Sequence, residues 1–351
     1  MEPTTKQQSK TRLKLYRLAD LFRGRKNLLI VMQDNPDPDS IAAAMAVRRL
    51  AHGLGEIPCT IAHGGTVGRA ENRALVAYLN PNLRALSEID LNKFDLIAMV
   101  DTQPGTGNNS LPPDSLPHIV FDHHRLRKLT RSCEFTDIRS HYGATATILL
   151  EYLNEVGIVP DMPLATALIY AIRSDTQDLG REAIAADIRA FDQLYPLANK
   201  RMLSEIQKGS VPRSYFQMLS NALQKARYYE FAIATDLGPI DNPDMIAEVA
   251  DLLLREENTW WTLCTGRAQG KLLLSIRTCL EDKDAARIAR RIVARRGTGG
   301  GHLTYAGGQI PLLDRNDNQI LQLERDIRQK FLRTLGIKDL RGQPIAGNHE
   351  Q

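Results

Sequence analysis

The chain has 351 residues, enough for two domains that each bury a core without disulfide staples. Its 45 basic and 41 acidic residues leave a net charge of only +4, which is at odds with a dedicated duplex-DNA binder but compatible with a local basic site for a small anion. The four cysteines are scattered without a C-x-x-C pair, the N-terminus lacks a signal-peptide core, and no apolar run reaches the ~18 residues of a membrane span, so a reduced, cytoplasmic protein that stays off the membrane is expected.

Residues 27–33, NLLIVMQ, form a short branched apolar run that reads as a buried strand. The polar stretch from Asp34 to Ser40 follows, then a helical pattern, IAAAMAVRRLAHGLG, ending at Gly53 or Gly55. Further strands are expected at 58–63, 94–100 and 118–121, and a helix over 69–79 is stopped by Asn80-Pro81. Apolar helices are expected over 142–157 and 161–174. Residues 184–228 read as helical and polar, with Pro196 and Pro212 as breakers. This places a first domain over 1–195, a helical linker over 196–228 and a second domain over 229–351. In the second domain, strands are expected at 231–237, 261–267 and 272–278, and helices at 245–255 and 284–296. A glycine-rich loop, GTGGGH, follows the last of these, and the polar tail from Gly336 on is expected to fray. Strands alternating with helices predict the α/β class. The larger N-terminal domain would have a mostly parallel sheet with helices on both faces, and a smaller C-terminal α/β domain would lie across a cleft.

The polar residues fall where such strands end. Asp37 and Asp39 follow the first strand, Asp101 the third, and Asp122, His123 and His124 the fourth; Asp175 closes a helix. In open α/β sheets the carboxyl ends of the strands carry the site, so these distant residues should converge. Taken singly they are weak signals: Asp-Pro-Asp is also a turn or a helix cap, and His-His is often structural. Together they offer hard oxygen donors mixed with imidazole, which suits Mn²⁺, and Mg²⁺ or Fe²⁺ less specifically. Several carboxylates gathered without cations would repel one another, whereas two metals can share a bridging carboxylate and clamp a phosphoryl group.

In order, the motifs Asn35-Pro36-Asp37-Pro38-Asp39-Ser40, Val100-Asp101-Thr102, Phe121-Asp122-His123-His124-Arg125, Ile172-Arg173-Ser174-Asp175-Thr176 and Gly299-Gly300-Gly301-His302 resemble the DHH phosphoesterase family with its DHH-associated C-terminal domain. The resemblance spans roughly residues 25–335 and is nearest the oligoribonuclease/pAp-phosphatase type. It implies two divalent metal ions, Mn²⁺ with Mg²⁺ as the alternative. Asp37 and Asp101 would hold the first; Asp39, Asp101, His123 and Asp175 would hold the second. Asp122 would orient a histidine and His124 would contact the scissile phosphate. Gly299, Gly300, Gly301 and His302, with Arg291 on the preceding helix, would grip substrate. The family usually carries a histidine three residues before the first proline; here that position is Gln33, an uncharged and weaker ligand.

The activity implied is hydrolysis of short oligoribonucleotides, linear dinucleotides or nucleoside bisphosphates by metal-activated water. Cyclic-dinucleotide hydrolysis, and a nucleotide-binding protein weakened in catalysis by Gln33, are the alternatives. The expected partner is a small nucleotide or short RNA, with no duplex DNA and no membrane; a homodimer is compatible with the sequence.

Overall fold

The computed structural model describes residues 5–180, 183–313 and 315–346, and the chain divides into two compact units, 1–210 and 211–351. In the first unit six parallel strands, β1 (Leu28–Val31), β2 (Cys59–His63), β3 (Leu83–Ala85), β4 (Leu96–Val100), β5 (Ile119–Asp122) and β6 (Phe135–Ile138), lie in the order β3-β2-β1-β4-β5-β6. The chain works outward from β1 to β3 and then returns to place β4 on the other side of β1. That reversal makes β1 and β4 a topological switch point, the place where an open α/β sheet leaves room for a ligand.

The helices of this unit are α1 (Thr5–Phe22), α2 (Pro38–Gly55), α3 (Ala70–Leu79), α4 (Thr145–Val156), α5 (Met162–Asp175), α6 (Ala185–Leu194) and α7 (Lys200–Gln207). The alanine-rich run of α2 is buried from Pro38 to Val47, because small side chains let α4 and α5 pack closely against it. Leu28, Ile30, Leu96, Ala98, Val100, Ile119 and Phe121 turn toward these helices. Alternate residues, Leu29, Val31, Ile97, Met99 and Val120, turn the other way, as strand geometry requires. The sheet is flanked by helices as expected, but unevenly: among the described residues, the second face is covered by Leu86 and Leu91 from short 3-10 helices and by Ile89, Phe94 and Leu111 from the segments beside them. Helix α1, which sequence patterning did not single out, screens the edge strand β6. Lys14 donates to the Thr136 carbonyl (3.1 Å) and pairs with Asp137 (2.7 Å), which keeps that edge from templating another strand.

In the second unit, α8 (Arg213–Lys225), α9 (Asp244–Leu253), α10 (Ala285–Val293) and α11 (Asp317–Thr334) flank a mixed sheet. Its strands are β7 (Arg227–Tyr229), β8 (Ala232–Pro239), β9 (Trp261–Ala268), β10 (Lys271–Thr278), β11 (Thr298–Gly301), β12 (Tyr305–Pro311) and β13 (Gln343–Pro344), in the order β11-β12-β10-β9-β8-β7-β13. Apolar residues of α8 and α9 pack on one face, those of α10 and α11 on the other. The segment 196–228, read above as a connection, divides between the units: α7 packs on α3 and α5, and α8 packs on β8. The tail from Gly336 does not simply fray, since Gln343 and Pro344 pair with Tyr228 and Arg227; residues 347–351 lie outside the described residues. No helix among the described residues is long and apolar enough to cross a membrane.

Candidate metal centre

The residues that follow β1, β4 and β5 meet at the carboxyl edge of the first sheet. Asp37 caps α2: its Oδ1 accepts from the Ser40 N–H at 2.9 Å, and Pro38 supplies the preset first turn. Asp39, one turn-position further, is fully buried. Its two oxygens accept from the Thr145 and Ala146 N–H groups (2.7 and 2.8 Å), at the N-terminus of α4. The positive ends of α2 and α4 therefore both bear on this carboxylate. Asp101 leaves β4 with φ +55°, a left-handed conformation that a side-chain-bearing residue holds only where its surroundings impose it. Thr145 Oγ1 donates to its Oδ1 at 3.2 Å.

His123 is the centre of the group. Its Nε2 lies 3.4 Å from Asp175 Oδ2, 3.5 Å from Asp101 Oδ1 and 4.0 Å from Asp39 Oδ2. Its Nδ1 lies 3.1 Å from the Tyr142 carbonyl, which accepts only an N–H, so Nδ1 carries a proton and Nε2 is the ring atom turned to the carboxylates. That Nε2 is buried and makes no hydrogen bond, although three carboxylates surround it. An imidazole nitrogen and carboxylate oxygens around one point, with the ring held from behind by a carbonyl, fit a divalent cation.

The electrostatics agree. Burial first, then the charges of Asp37, Asp39, Asp122 and Asp175, hold Asp101 well above the usual carboxylate range. Burial and Asp175 push Asp39 up to about 7. Asp37 is raised by burial and by Asp175. Burial opposes a charge on His123, yet Asp175, Asp39 and Asp122 outweigh it and push the ring up to about 10. Each group shifts toward holding positive charge or shedding negative charge, which is the deficit a cation fills.

Asp122 plays a different part. Its Oδ1 accepts from the His124 backbone N–H (3.0 Å) and faces His124 Nδ1 at 2.7 Å; Oδ2 accepts from Gln103 Nε2 at 2.7 Å. Burial alone would raise it, but the hydrogen bond and charge of His124 hold it below the carboxylate range. His124 is the more open of the two histidines, at 38% side-chain exposure against 12%. Its Nδ1 also lies 3.7 Å from Asp101 Oδ1.

Gln33 sits beside the group but turns its amide nitrogen toward it: Nε2 donates to Asp37 Oδ2 at 2.7 Å. Sequence reasoning missed four supports. Thr145, Gln103 and Asn108 carry side-chain hydrogen bonds into the site, and Tyr142 acts through its backbone carbonyl. Gln103, two residues past Asp101 and fully buried, was the legible one; a Tyr142 carbonyl carries no side-chain signal.

Gly299, Gly300 and Gly301 form the edge strand β11, paired with β12, and not a loop as expected. A β-carbon on Gly299 would come within 3.1 Å of the Ala289 backbone of α10, and one on Gly301 within 2.5 Å of Ala306 Cα, whereas one on Gly300 would meet nothing within 4 Å. Close packing thus explains the outer two glycines and leaves the middle one unexplained. His302 stacks on Tyr305 (centroids 4.5 Å apart), and Arg291 is exposed on α10.

Residues 27–172 match the DHH family N-terminal domain and residues 230–329 match the DHHA1 domain. An uncharacterized protein of Methanocaldococcus jannaschii is 35% identical over 320 residues, covering 89% of this chain and 65% of that protein. A probable manganese-dependent inorganic pyrophosphatase of Staphylococcus saprophyticus is 26% identical over 166 residues, covering 47% of this chain and 53% of its own length. The chain therefore spans about half to two thirds of these relatives. Among solved structures, an exopolyphosphatase-related protein from Bacteroides fragilis superposes with a TM-score of 0.68 at 12% identity, over 91% of this chain and 97% of that one. RecJ of Thermus thermophilus, in complex with Mn²⁺, gives 0.54 at 16% identity, over 92% of this chain and 55% of that one. Both share the fold. With a DHH N-terminal domain followed by a DHHA1 domain on a phosphoesterase-type fold, the chain belongs to the DHH family.

Proposed function

We propose that the chain is a divalent-metal phosphoesterase that hydrolyses short oligoribonucleotides, linear dinucleotides or nucleoside bisphosphates. The observation that carries the reading is the unpartnered His123 Nε2 set among Asp39, Asp101 and Asp175 at the sheet's switch point. A manganese-dependent relative and a Mn²⁺-bound structural neighbour support Mn²⁺, with Mg²⁺ as the alternative. When bound, such ions lower the pKa of a coordinated water and neutralise charge on a phosphoryl group. Asp39, Asp101, His123 and Asp175 would hold one ion. Asp37 and Asp101 would hold a second, the role the family resemblance gives them. Asp122 fixes the His124 ring through Nδ1, so that the partly open imidazole meets the scissile phosphate in one orientation.

Selectivity is assigned to the second unit. Gly300 offers bare backbone on an edge strand, where an anionic group can approach without a side chain in the way, and Arg291 adds a forked donor suited to phosphate. Near-neutral net charge supplies no track for a long polymer. The test is Mn²⁺-dependent turnover on a dinucleotide, a nucleoside 3′,5′-bisphosphate, a five-mer, a 20-mer, a cyclic dinucleotide and pyrophosphate. Cleavage of the first two, falling steeply beyond about five nucleotides, is expected. Processive digestion of the 20-mer, or cleavage of pyrophosphate alone, would overturn the reading.

A further inference from the structure

The two sides of the carboxylate group are not equivalent. On one side, Asp39, Asp101 and Asp175 direct oxygens at Nε2 of His123. On the other, both oxygens of Asp37 already accept N–H donors: Oδ1 from Ser40, which caps α2, and Oδ2 from Gln33 Nε2 at 2.7 Å. The amide of Gln33 is oriented by its two neighbours, with Nε2 on the Asp37 carboxyl and Oε1 toward a donor. Asn108 reinforces it from behind, with its Nδ2 3.5 Å from Gln33 Oε1. Asn108 is anchored in turn, since its carbonyl accepts from the Asp34 N–H at 2.8 Å. The amide oxygen, the only ligand atom Gln33 owns, is thus turned to Asn108. The positive edge of the amide is turned onto Asp37 Oδ2.

We propose that Gln33 and Asp37 form a clasp in which the amide N–H stands in for a metal ion, so that the resting protein retains one divalent ion per chain, on the His123 side. A second ion binds only when a substrate phosphate supplies further oxygen ligands and the clasp opens. The inference rests on the metal-centre reading above and deepens it by assigning Gln33 the part of a positioning residue that sets metal stoichiometry.

The experiment is equilibrium dialysis of the full chain against micromolar free Mn²⁺ without substrate, with bound metal counted by mass spectrometry and its state read by electron paramagnetic resonance. The wild type is expected to hold one Mn²⁺ per chain with the six-line spectrum of an isolated ion. Gln33→His replaces the blocking amide by an imidazole, a better ligand for Mn²⁺, and is expected to hold two, with the six lines replaced by the spectrum of a coupled pair about 3.5–4 Å apart. Asp39→Asn, on the other side, is expected to hold none at that concentration. Two coupled ions in the wild type, or a single ion in a folded Gln33→His, would overturn the clasp while leaving the metal centre standing. No bound Mn²⁺ in the wild type would overturn the metal-centre reading and the clasp with it. Should Gln33→His fail to fold, the wild-type count and spectrum still decide the matter.

Discussion

Nδ1 of His123 lies 3.1 Å from the carbonyl oxygen of Tyr142, and this contact decides what the opposite edge of the ring can do. With Nδ1 committed to the carbonyl, Nε2 is the ring atom turned toward Asp101 and Asp175, and it is the one that would give up its proton to a cation. Such an arrangement is costly in an empty site and favourable around a cation, a trade of stability for function that runs through the whole group.

Asp101 tests that trade. Its carboxylate is buried and raised by its surroundings, and asparagine tolerates the left-handed backbone at φ +55°. Asp101→Asn should therefore raise the melting temperature of the metal-free chain while lowering Mn²⁺-dependent turnover at least ~100-fold. Calorimetry and a turnover assay on the same preparation check both arms. Near-wild-type activity would remove Asp101 from the chemistry.

A pH dependence follows with a definite sign. Asp39 rises from 3.8 to about 7 and His123 from 6.5 to about 10, so both hold a proton more tightly in the folded chain than in the unfolded one. Stability from such groups is complete below the unfolded values and is lost as pH climbs through the folded ones. Between pH 6.5 and 9 the metal-free chain is expected to lose several degrees of melting temperature, and saturating Mn²⁺, which takes the protons' place, should flatten the curve. Scanning calorimetry with and without metal measures it; a metal-free melting temperature that climbs over this range would contradict the electrostatics described.

Away from the site, Asp137 and Arg139 make a buried pair, 2% and 6% exposed at the side chain, with Arg139 also reaching Glu151 at 2.5 Å and Tyr142 at 3.1 Å. Burial would raise Asp137, but Arg139 and Lys14 outweigh it and hold the carboxyl low. Arg139→Met leaves Asp137 only Lys14 and Tyr152 as partners and is expected to cost about 1–3 kcal/mol; replacing Asp137 by leucine as well should recover part of the loss. Urea midpoints of the single and double variants give the comparison.

These examples show what was legible. LLIV and LIAMV run directly into Gln33 to Asp39 and into Asp101, so strand, strand end and candidate ligand could be read off together. Strand β6 could not, because Phe-Thr-Asp-Ile hides a charge whose partners, Lys14 and Arg139, become visible only in three dimensions. Helix α11 was missed for its polarity, although Asn316 and Gln319 form a capping box that marks its start. Strands β11 and β12 were hidden by glycine, which disfavours strands unless another backbone presses close. The direction of the Gln33 amide depends on Asn108, 75 residues away, and no local pattern encodes it.

The glycines of β11 allow folding and recognition to be separated. Gly301 has φ +144° and would drive a β-carbon to within 2.5 Å of Ala306 Cα; Gly299 would press one against Ala289. Alanine at either is expected to destabilise the second unit by about 1–3 kcal/mol, through strain or overpacking, and to lower activity on every substrate alike. Gly300 differs, since a side chain there would meet nothing within 4 Å. Valine suits a strand and should fold normally, yet it would cover backbone that a nucleotide's phosphate needs to approach. Gly300→Val is therefore expected to keep the wild-type melting temperature and the rate on bis-p-nitrophenyl phosphate, while losing at least ~10-fold in kcat/KM on a dinucleotide, about the value of one good phosphate contact. Equal loss on both substrates with an unchanged melting temperature would move the glycine strand out of recognition, and unchanged rates on both would leave Gly300 without a part in the reaction.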